Sequence, residues 1–187
     1  MTPVAGHVAL VGLSGTGKST VAPLLAARRG LAVVDLDRAV AESAGRTVAE
    51  VFATDGEAAF RSKESAALAD ALAGPPAVVA TGGGVVLDLA NRAALAEHAT
   101  VVWLRASPAA LVERLDSSTE ERPLLAGGTG AAADRLALMA SERGPLYESV
   151  ADVALSVEGR TAADVVDALD ELLDDLFGVG PTQGAVQ

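Results

Sequence analysis

The chain of 187 residues is half apolar and carries a net charge of −11. This length suits one well-packed domain, which we expect over residues 1–177, and the acidic balance argues against a nucleic-acid partner, because phosphate backbones are bound by clustered basic residues. The absence of cysteine excludes disulfides and thiolate metal sites, and without an apolar stretch of about 18 residues or a signal-peptide pattern we expect a cytoplasmic protein with no membrane contact.

The first predicted strand, His7–Val11, leads into Gly12–Ser19, which has the pattern G-x-x-x-x-G-K-S. Glycines at these positions let successive amide N–H groups converge on phosphate oxygens, while Lys18 reaches the terminal phosphates and Ser19 offers a hydroxyl to Mg²⁺. A helical pattern follows over Thr20–Arg29, so the motif has the strand, loop and helix context that it needs. This stretch predicts a nucleotide-phosphate site.

Further apolar runs alternate with helical patterns along the rest of the chain. Each is short and apolar enough for a parallel strand buried on both faces. The alternation predicts an α/β fold with three α/β/α layers and a five-stranded parallel sheet, in which ligands bind outside the carboxyl ends of the strands. The runs after the first are Leu31–Val34, Val78–Thr81, Val101–Leu104 and Asp152–Val157.

Several helix boundaries can be predicted from the sequence. A hydroxyl followed three residues later by an acid marks helix starts at Thr47–Glu50 and Thr161–Asp164, and Ser107–Pro108 places proline in a first turn. Another helix is expected to begin at Gly56 and run to about Ala73. The segment Arg143–Tyr147 contains glycine and proline and predicts a break in a helical pattern.

An acidic pair, Asp35 and Asp37, follows the second predicted strand. Acids at the carboxyl edge of such a strand lie beside the phosphate loop, where one can hold Mg²⁺ through water and the other can meet a second substrate. The same pattern is also typical of a helix cap or a solvated turn. Arg61 and Glu64, three apart on a predicted helix, by themselves indicate only a surface ion pair.

Three consecutive glycines, Gly82–Gly84, end the third predicted strand. Glycine loses more conformational freedom on folding than any other residue, so three in a row indicate a close approach to the backbone. The candidates are a phosphate, a sugar-like hydroxyl or a neighbouring helix, and the alternative is a wide turn.

A segment of small and polar residues, about 116–131, has Arg122 as its only base. It predicts a mobile lid that closes an arginine over the transferring phosphoryl group, with an ordinary flexible loop as the alternative. Residues 178–187 predict a disordered tail. The sequence has no heptad run or long apolar surface stripe, so we expect a monomer.

Taken together, these motifs resemble the shikimate kinase family from about His7 to Leu176. Each motif is common, but the set in this order is highly specific. The resemblance implies ATP-dependent phosphorylation of the 3-hydroxyl of shikimate in chorismate and aromatic amino acid biosynthesis, with Mg²⁺ as cofactor. The matching stretches are Gly12–Ser19, Asp35–Asp37, Gly56–Glu64, Gly82–Gly84, Arg122–Leu125 and Arg143–Tyr147.

The resemblance also implies a role for individual residues. Lys18, Asp37 and Arg122 are the expected catalytic residues, with Ser19 and Asp35 serving the metal. Shikimate is expected to contact Asp37, Arg61, Gly82, Gly83, Gly84 and Arg143, with both arginines on its carboxylate. ATP is expected to contact Gly15, Thr16, Gly17, Lys18, Ser19, Thr20, Arg122 and Arg160, the last of these on the adenine side.

One departure and three rivals qualify this assignment. The family often has basic residues just before the lid arginine, where this chain has Glu120 and Glu121. A gluconate kinase shares the phosphate loop and lacks the later motifs, and a GTPase would need an Asn-Lys-x-Asp reader, whereas the one asparagine, Asn91, is followed by Arg92. An inactive nucleotide-binding regulator remains open, because a sequence does not show turnover.

Overall fold

The computed structural model describes residues 6–116 and 129–178. Within these ranges strands and helices alternate along nearly the whole chain. The elements are β1 (His7–Val11), α1 (Lys18–Arg29), β2 (Ala32–Asp35), α2 (Leu36–Ala44), α3 (Val48–Ala73), β3 (Ala77–Ala80), a 3₁₀ turn (Val85–Leu87), α4 (Leu89–His98), β4 (Ala99–Arg105), α5 (Pro108–Asp116), α6 (Thr129–Val150), β5 (Val153–Ser156) and α7 (Ala162–Leu176).

The five strands form one parallel sheet in the order β2-β3-β1-β4-β5, as the sequence predicts. Strand β1 is central, with Val8 opposite Val78 of β3 on one side and Thr100 of β4 on the other. The chain reverses its direction of winding at β1, and ligands of open parallel sheets bind at such a switch point. The phosphate loop follows β1 and therefore lies at this point.

Two hydrophobic clusters fill the two faces of the sheet, which confirms the three-layer architecture. Alternate residues of β1 point to opposite faces, as a pleated strand requires. Val8 and Leu10 pack in the cluster that includes α1 and α7, whereas Ala9 and Val11 pack in the cluster that includes α3, α4 and α6.

The expectation that every strand is buried on both faces is wrong at the edges of the sheet. All residues of β1 and β3 are buried. In β2, however, Val33 is 46% exposed, and β5 buries only Leu155. These two strands have one neighbour each, so the flanking helices, which centre on the inner strands, leave parts of them uncovered.

Two predicted helix starts, Thr47 and Thr161, are capping boxes in the structure, and Pro108 opens α5. The helix expected from Gly56 to about Ala73 is the second half of α3, which is kinked at Gly56 (φ 82°), where two helical segments meet. The break predicted at Arg143–Tyr147 is wrong, because α6 continues through Pro145 to Val150. Proline removes only one N–H, and contacts of this part of α6 with Gly83 hold its inner face in place.

Residues 117–128, which include Arg122 and most of the predicted lid, lie outside the described residues, as do residues 179–187 of the predicted tail. The lid and the tail therefore stay predictions. In the part of the chain that the structure describes, no helix is long and apolar enough to cross a membrane.

Candidate functional site

The phosphate loop joins the central strand β1 to the N-terminus of α1. Gly15 and Gly17 have positive φ angles of 90° and 92°, a conformation that side chains disfavour. Gly12 packs so closely on β4 that a Cβ there would lie 2.4 Å from the carbonyl oxygen of Leu104. Helix α1 begins at Lys18, so its first N–H groups and the positive end of its dipole point into the loop.

Lys18 is folded back onto the loop that carries it. Its Nζ donates to the carbonyl oxygens of Gly12 (2.8 Å) and Leu13 (2.9 Å), and the residue is 7% exposed. The Thr16 hydroxyl also donates to Leu13 (2.9 Å), which stiffens the turn. Ser19 is exposed in the first turn of α1. The loop thus holds an ammonium and a hydroxyl beside an anion-binding helix terminus.

The glycine turn, Gly82–Gly84, follows β3 next to the phosphate loop. A Cβ on Gly82 would lie 2.1 Å from Oε1 of Glu64, and a Cβ on Gly84 would lie 2.3 Å from a guanidinium nitrogen of Arg61. A Cβ on Gly83 would lie 3.2 Å from the backbone nitrogen of Ser14. Of the three candidates for the close approach, the neighbouring helix α3 is therefore the one that the structure shows.

Glu64 is buried and Arg61 is half-buried, so the surface ion pair that their spacing alone indicated is wrong. Nη1 of Arg61 lies 2.7 Å from Oε2 of Glu64, whose side chain is 1% exposed. Burial raises the pKa of the Glu64 carboxyl and Arg61 opposes that rise. The guanidinium also contacts Glu57 at 3.1 Å. Among the described residues, Nε of Arg61 and Oε1 of Glu64 have no hydrogen-bond partner.

Helix α6 brings a second arginine to the same turn. Arg143 is 8% exposed, and its Nη1 donates to the carbonyl oxygen of Gly83 at 3.0 Å. Its Nε is buried and lacks a hydrogen-bond partner within residues 6–116 and 129–178. One helical turn later, the hydroxyl of Tyr147 donates to the same carbonyl at 2.5 Å. A buried guanidinium, that of Arg143, and a half-buried one, that of Arg61, therefore converge on the glycine turn.

The two aspartates after β2 are used differently. Asp35 is the N-cap of α2, where its Oδ1 accepts a hydrogen bond from the backbone N–H of Arg38 at 3.2 Å. Asp37 lies exposed in the first turn of α2, and its Oδ1 is 3.2 Å from the position that a Cβ of Gly82 would take. The helix-cap interpretation thus holds for Asp35, and Asp37 faces the glycine turn.

A cavity of about 510 Å³ opens on the other side of the phosphate loop. It is lined by Leu13 and Thr16, by Arg105 at the end of β4, and by Glu158 after β5. Glu158 accepts a hydrogen bond from the backbone of Ser107, which ties the turns after β4 and β5 together. Arg160 is exposed in the same turn as Glu158.

The structure brings together Asp37, Arg61, Gly82–Gly84 and Arg143. The phosphate loop separates this group from the turn that carries Arg160. Two residues with clear contacts in the site had no role in it predicted from the sequence. Glu64 belonged to a recognised motif but had no assigned role. The tyrosine in Arg143–Tyr147 was part of the supposed helix break, although a polar aromatic four residues after an arginine on one helix face was an available signal.

These features define the class of the protein. The parallel sheet carries its phosphate loop at the central strand, beside a carboxylate, a buried guanidinium (Arg143) and a half-buried one (Arg61). This arrangement is typical of a P-loop phosphotransferase for a small anionic acceptor. Residues 14–174 match the family model described as shikimate kinase. The chain belongs to the shikimate kinase family.

Individual relatives agree with this assignment. A shikimate kinase of Symbiobacterium thermophilum is 43% identical over 170 residues, covering 90% of this chain and 97% of that protein. The structure of a shikimate kinase from Acinetobacter baumannii in complex with shikimate is 28% identical with a TM-score of 0.85, covering 95% of this chain and 96% of that one. A gluconokinase from Sinorhizobium meliloti, at 21% identity and a TM-score of 0.57 over 96% of this chain and 100% of its own, shares the fold alone.

Proposed function

We propose that this chain transfers the γ-phosphoryl group of ATP to the 3-hydroxyl of shikimate, giving shikimate 3-phosphate and ADP. The convergence of Arg61 and Arg143 on the glycine turn, beside the phosphate loop, is the observation that carries the proposal. A planar carboxylate is best held by guanidinium groups with paired donors, and the chain is otherwise acidic. The Nε atoms of both arginines are buried and have no hydrogen-bond partner among the described residues, so each guanidinium keeps a donor that its protein contacts do not use.

On the acceptor side, Arg61 and Arg143 bind the carboxylate, and the backbone of Gly82, Gly83 and Gly84 lies against the ring. Asp37 faces this turn. In the proposed reaction it orients the attacking hydroxyl and accepts its proton. The oxygen of that hydroxyl forms the new bond to phosphorus while the bond from phosphorus to the bridging oxygen of ADP breaks. The work of the protein is mainly alignment and charge stabilisation.

On the nucleotide side, the phosphates lie on Gly15–Thr20 at the N-terminus of α1. When the nucleotide binds, the Lys18 ammonium leaves the carbonyl oxygens of Gly12 and Leu13 and donates to phosphate oxygens. Its hydrogen bonds to an anion are stronger than those to neutral acceptors. Arg122 acts on the phosphoryl group from the lid. The turn of Arg160 borders the cavity and supports its place on the adenine side.

The donor set fits Mg²⁺ that arrives with the nucleotide. Ser19 offers an exposed hydroxyl, and Asp35, which accepts one N–H, keeps lone pairs for a metal-bound water. In residues 6–116 and 129–178, no group of three or more acids or histidines forms a protein cage. Mg²⁺ normally keeps several waters and takes phosphate oxygens as ligands, so a sparse protein contribution is expected. When bound, the ion neutralises phosphate charge.

The decisive experiment measures ADP release with ATP and Mg²⁺ in the presence of shikimate, gluconate or no acceptor. We expect release with shikimate alone. In Arg61→Ala the shikimate KM should rise by about tenfold or more, because a charge-assisted contact to the carboxylate is lost. Arg46→Ala is the matched control, since Arg46 pairs with Asp55 on the surface. Release with gluconate alone, or no release with any acceptor despite ATP binding, would overturn the proposal.

A further inference from the structure

The carbonyl oxygen of Gly83 receives two hydrogen bonds from one helix. Tyr147 donates its hydroxyl at 2.5 Å and Arg143 donates Nη1 at 3.0 Å, and the two donors are four residues apart on α6. Side chains at this spacing lie one above the other on a helix face. The carbonyl is thus held from one direction by a neutral donor and a charged donor.

The position of Gly83 leaves little room for adjustment. On the side facing the phosphate loop, a Cβ on Gly83 would lie 3.2 Å from the Ser14 nitrogen and 3.5 Å from the Gly12 oxygen. Its neighbours are packed against Glu64 and Arg61 in the same way. A rotation of the Gly83 peptide would therefore move the backbone groups that lie against the proposed acceptor.

Tyr147 itself is held by its surroundings. It is 1% exposed, and its ring centroid lies 5.7 Å from that of Trp103 on β4. Burial raises the pKa of the Tyr147 hydroxyl, so the group stays a neutral donor at working pH. The ring accounts for the packing, and the hydroxyl, which lies beside the Arg143 guanidinium, is directed at the Gly83 carbonyl.

We propose that Tyr147 is a positioning residue for the acidic acceptor: its hydroxyl fixes the Gly83 carbonyl and so keeps Arg143 available for the substrate carboxylate. Without the hydroxyl, Arg143 is the remaining donor to a buried acceptor, and the guanidinium is drawn toward Gly83. This inference rests on the proposed function, because it assumes a carboxylate between Arg61 and Arg143.

Tyr147→Phe tests this role, since it keeps the ring and removes the hydroxyl. We expect the shikimate KM to rise about fivefold, the ATP KM to stay within about twofold, and the melting temperature to fall only slightly. Ser149→Ala is the matched control, because it removes a hydroxyl from the same helix that bonds only locally to Leu146. That control should leave both KM values unchanged.

A double variant separates positioning from general packing. If Tyr147 acts through Arg143, then Tyr147→Phe should raise the shikimate KM by less than about twofold in an Arg143→Ala background. Equal effects in both backgrounds, an unchanged shikimate KM in Tyr147→Phe, or a parallel rise of both KM values would overturn the inference while the proposed function stands. A wild-type enzyme without shikimate-dependent release would overturn both.

Discussion

Among single residues, the site depends on side chains that pack against glycines, in the space where any other residue would have its Cβ. Glu64 shows this most clearly, because its carboxylate is buried against Gly82 and paired with Arg61. A buried charge is costly unless it is paired and hydrogen-bonded. The pair therefore adds little stability, and we interpret it as the support that holds Arg61 toward the acceptor.

Gly82→Ala tests how tightly this region is packed. The new Cβ would lie 2.1 Å from Oε1 of Glu64, so either the buried carboxylate or the turn must move, and we expect a loss of about 2 kcal/mol in the free energy of unfolding together with most of the activity. Gly144→Ala is the matched substitution, because Gly144 lies within α6 and nothing approaches its Cβ position within 4 Å. It should stabilise the protein by about 0.5–1 kcal/mol. Urea unfolding measures the free energy of unfolding of both variants. Equal changes in the two would contradict the tight packing inferred at Gly82.

At the scale of elements, α1 and α7 are joined by an ion-pair network at the end of α1. Arg29 has a side chain only 8% exposed and lies 2.5 Å from Asp170 and 2.7 Å from Asp174. Its neighbour Arg28 pairs with Asp167, but both side chains of that pair are largely exposed. Burial separates two otherwise similar interactions, because solvent screens the exposed pair.

We therefore expect the two arginines of α1 to differ in their effect on stability. Arg29→Ala should lower the free energy of unfolding by about 1–2 kcal/mol, since it removes packing of the buried stem and two charge-assisted contacts. Arg28→Ala should change it by no more than about 0.5 kcal/mol. Chemical denaturation at low and moderate salt checks both values. A loss of equal size in the two variants would show that burial is not the deciding factor.

At the scale of the whole molecule, most of the architecture could be predicted from the sequence. The phosphate loop and the alternation of apolar runs with helical patterns carry enough local information to predict five parallel strands and their site-bearing edge. The continuity of α6 through Pro145 was not predicted correctly, because it depends on contacts with the distant Gly83. The burial of Glu64 and the hydrogen bond from Tyr147 to Gly83 both depend on segments that are distant in the sequence. Neither feature produces a periodic pattern of residues from which it could be predicted. Monomeric state and cytoplasmic location stay predictions.

Whether Mg²⁺ binds the protein alone or arrives with ATP can be tested on the whole molecule. Mg²⁺ is usually held by one or two protein oxygens together with substrate phosphates, and the proposed protein donors are Ser19 and Asp35, so the apoprotein should bind Mg²⁺ weakly and should take it up with ATP. Mg²⁺ alone should leave the melting temperature unchanged. ATP with Mg²⁺ should raise it, by the equivalent of about 2.7 kcal/mol at a hundredfold excess over Kd, because ligands that bind only the folded state stabilise it. Chelation should abolish this gain and ADP release together. A rise with Mg²⁺ alone would show instead that the protein holds a metal site of its own.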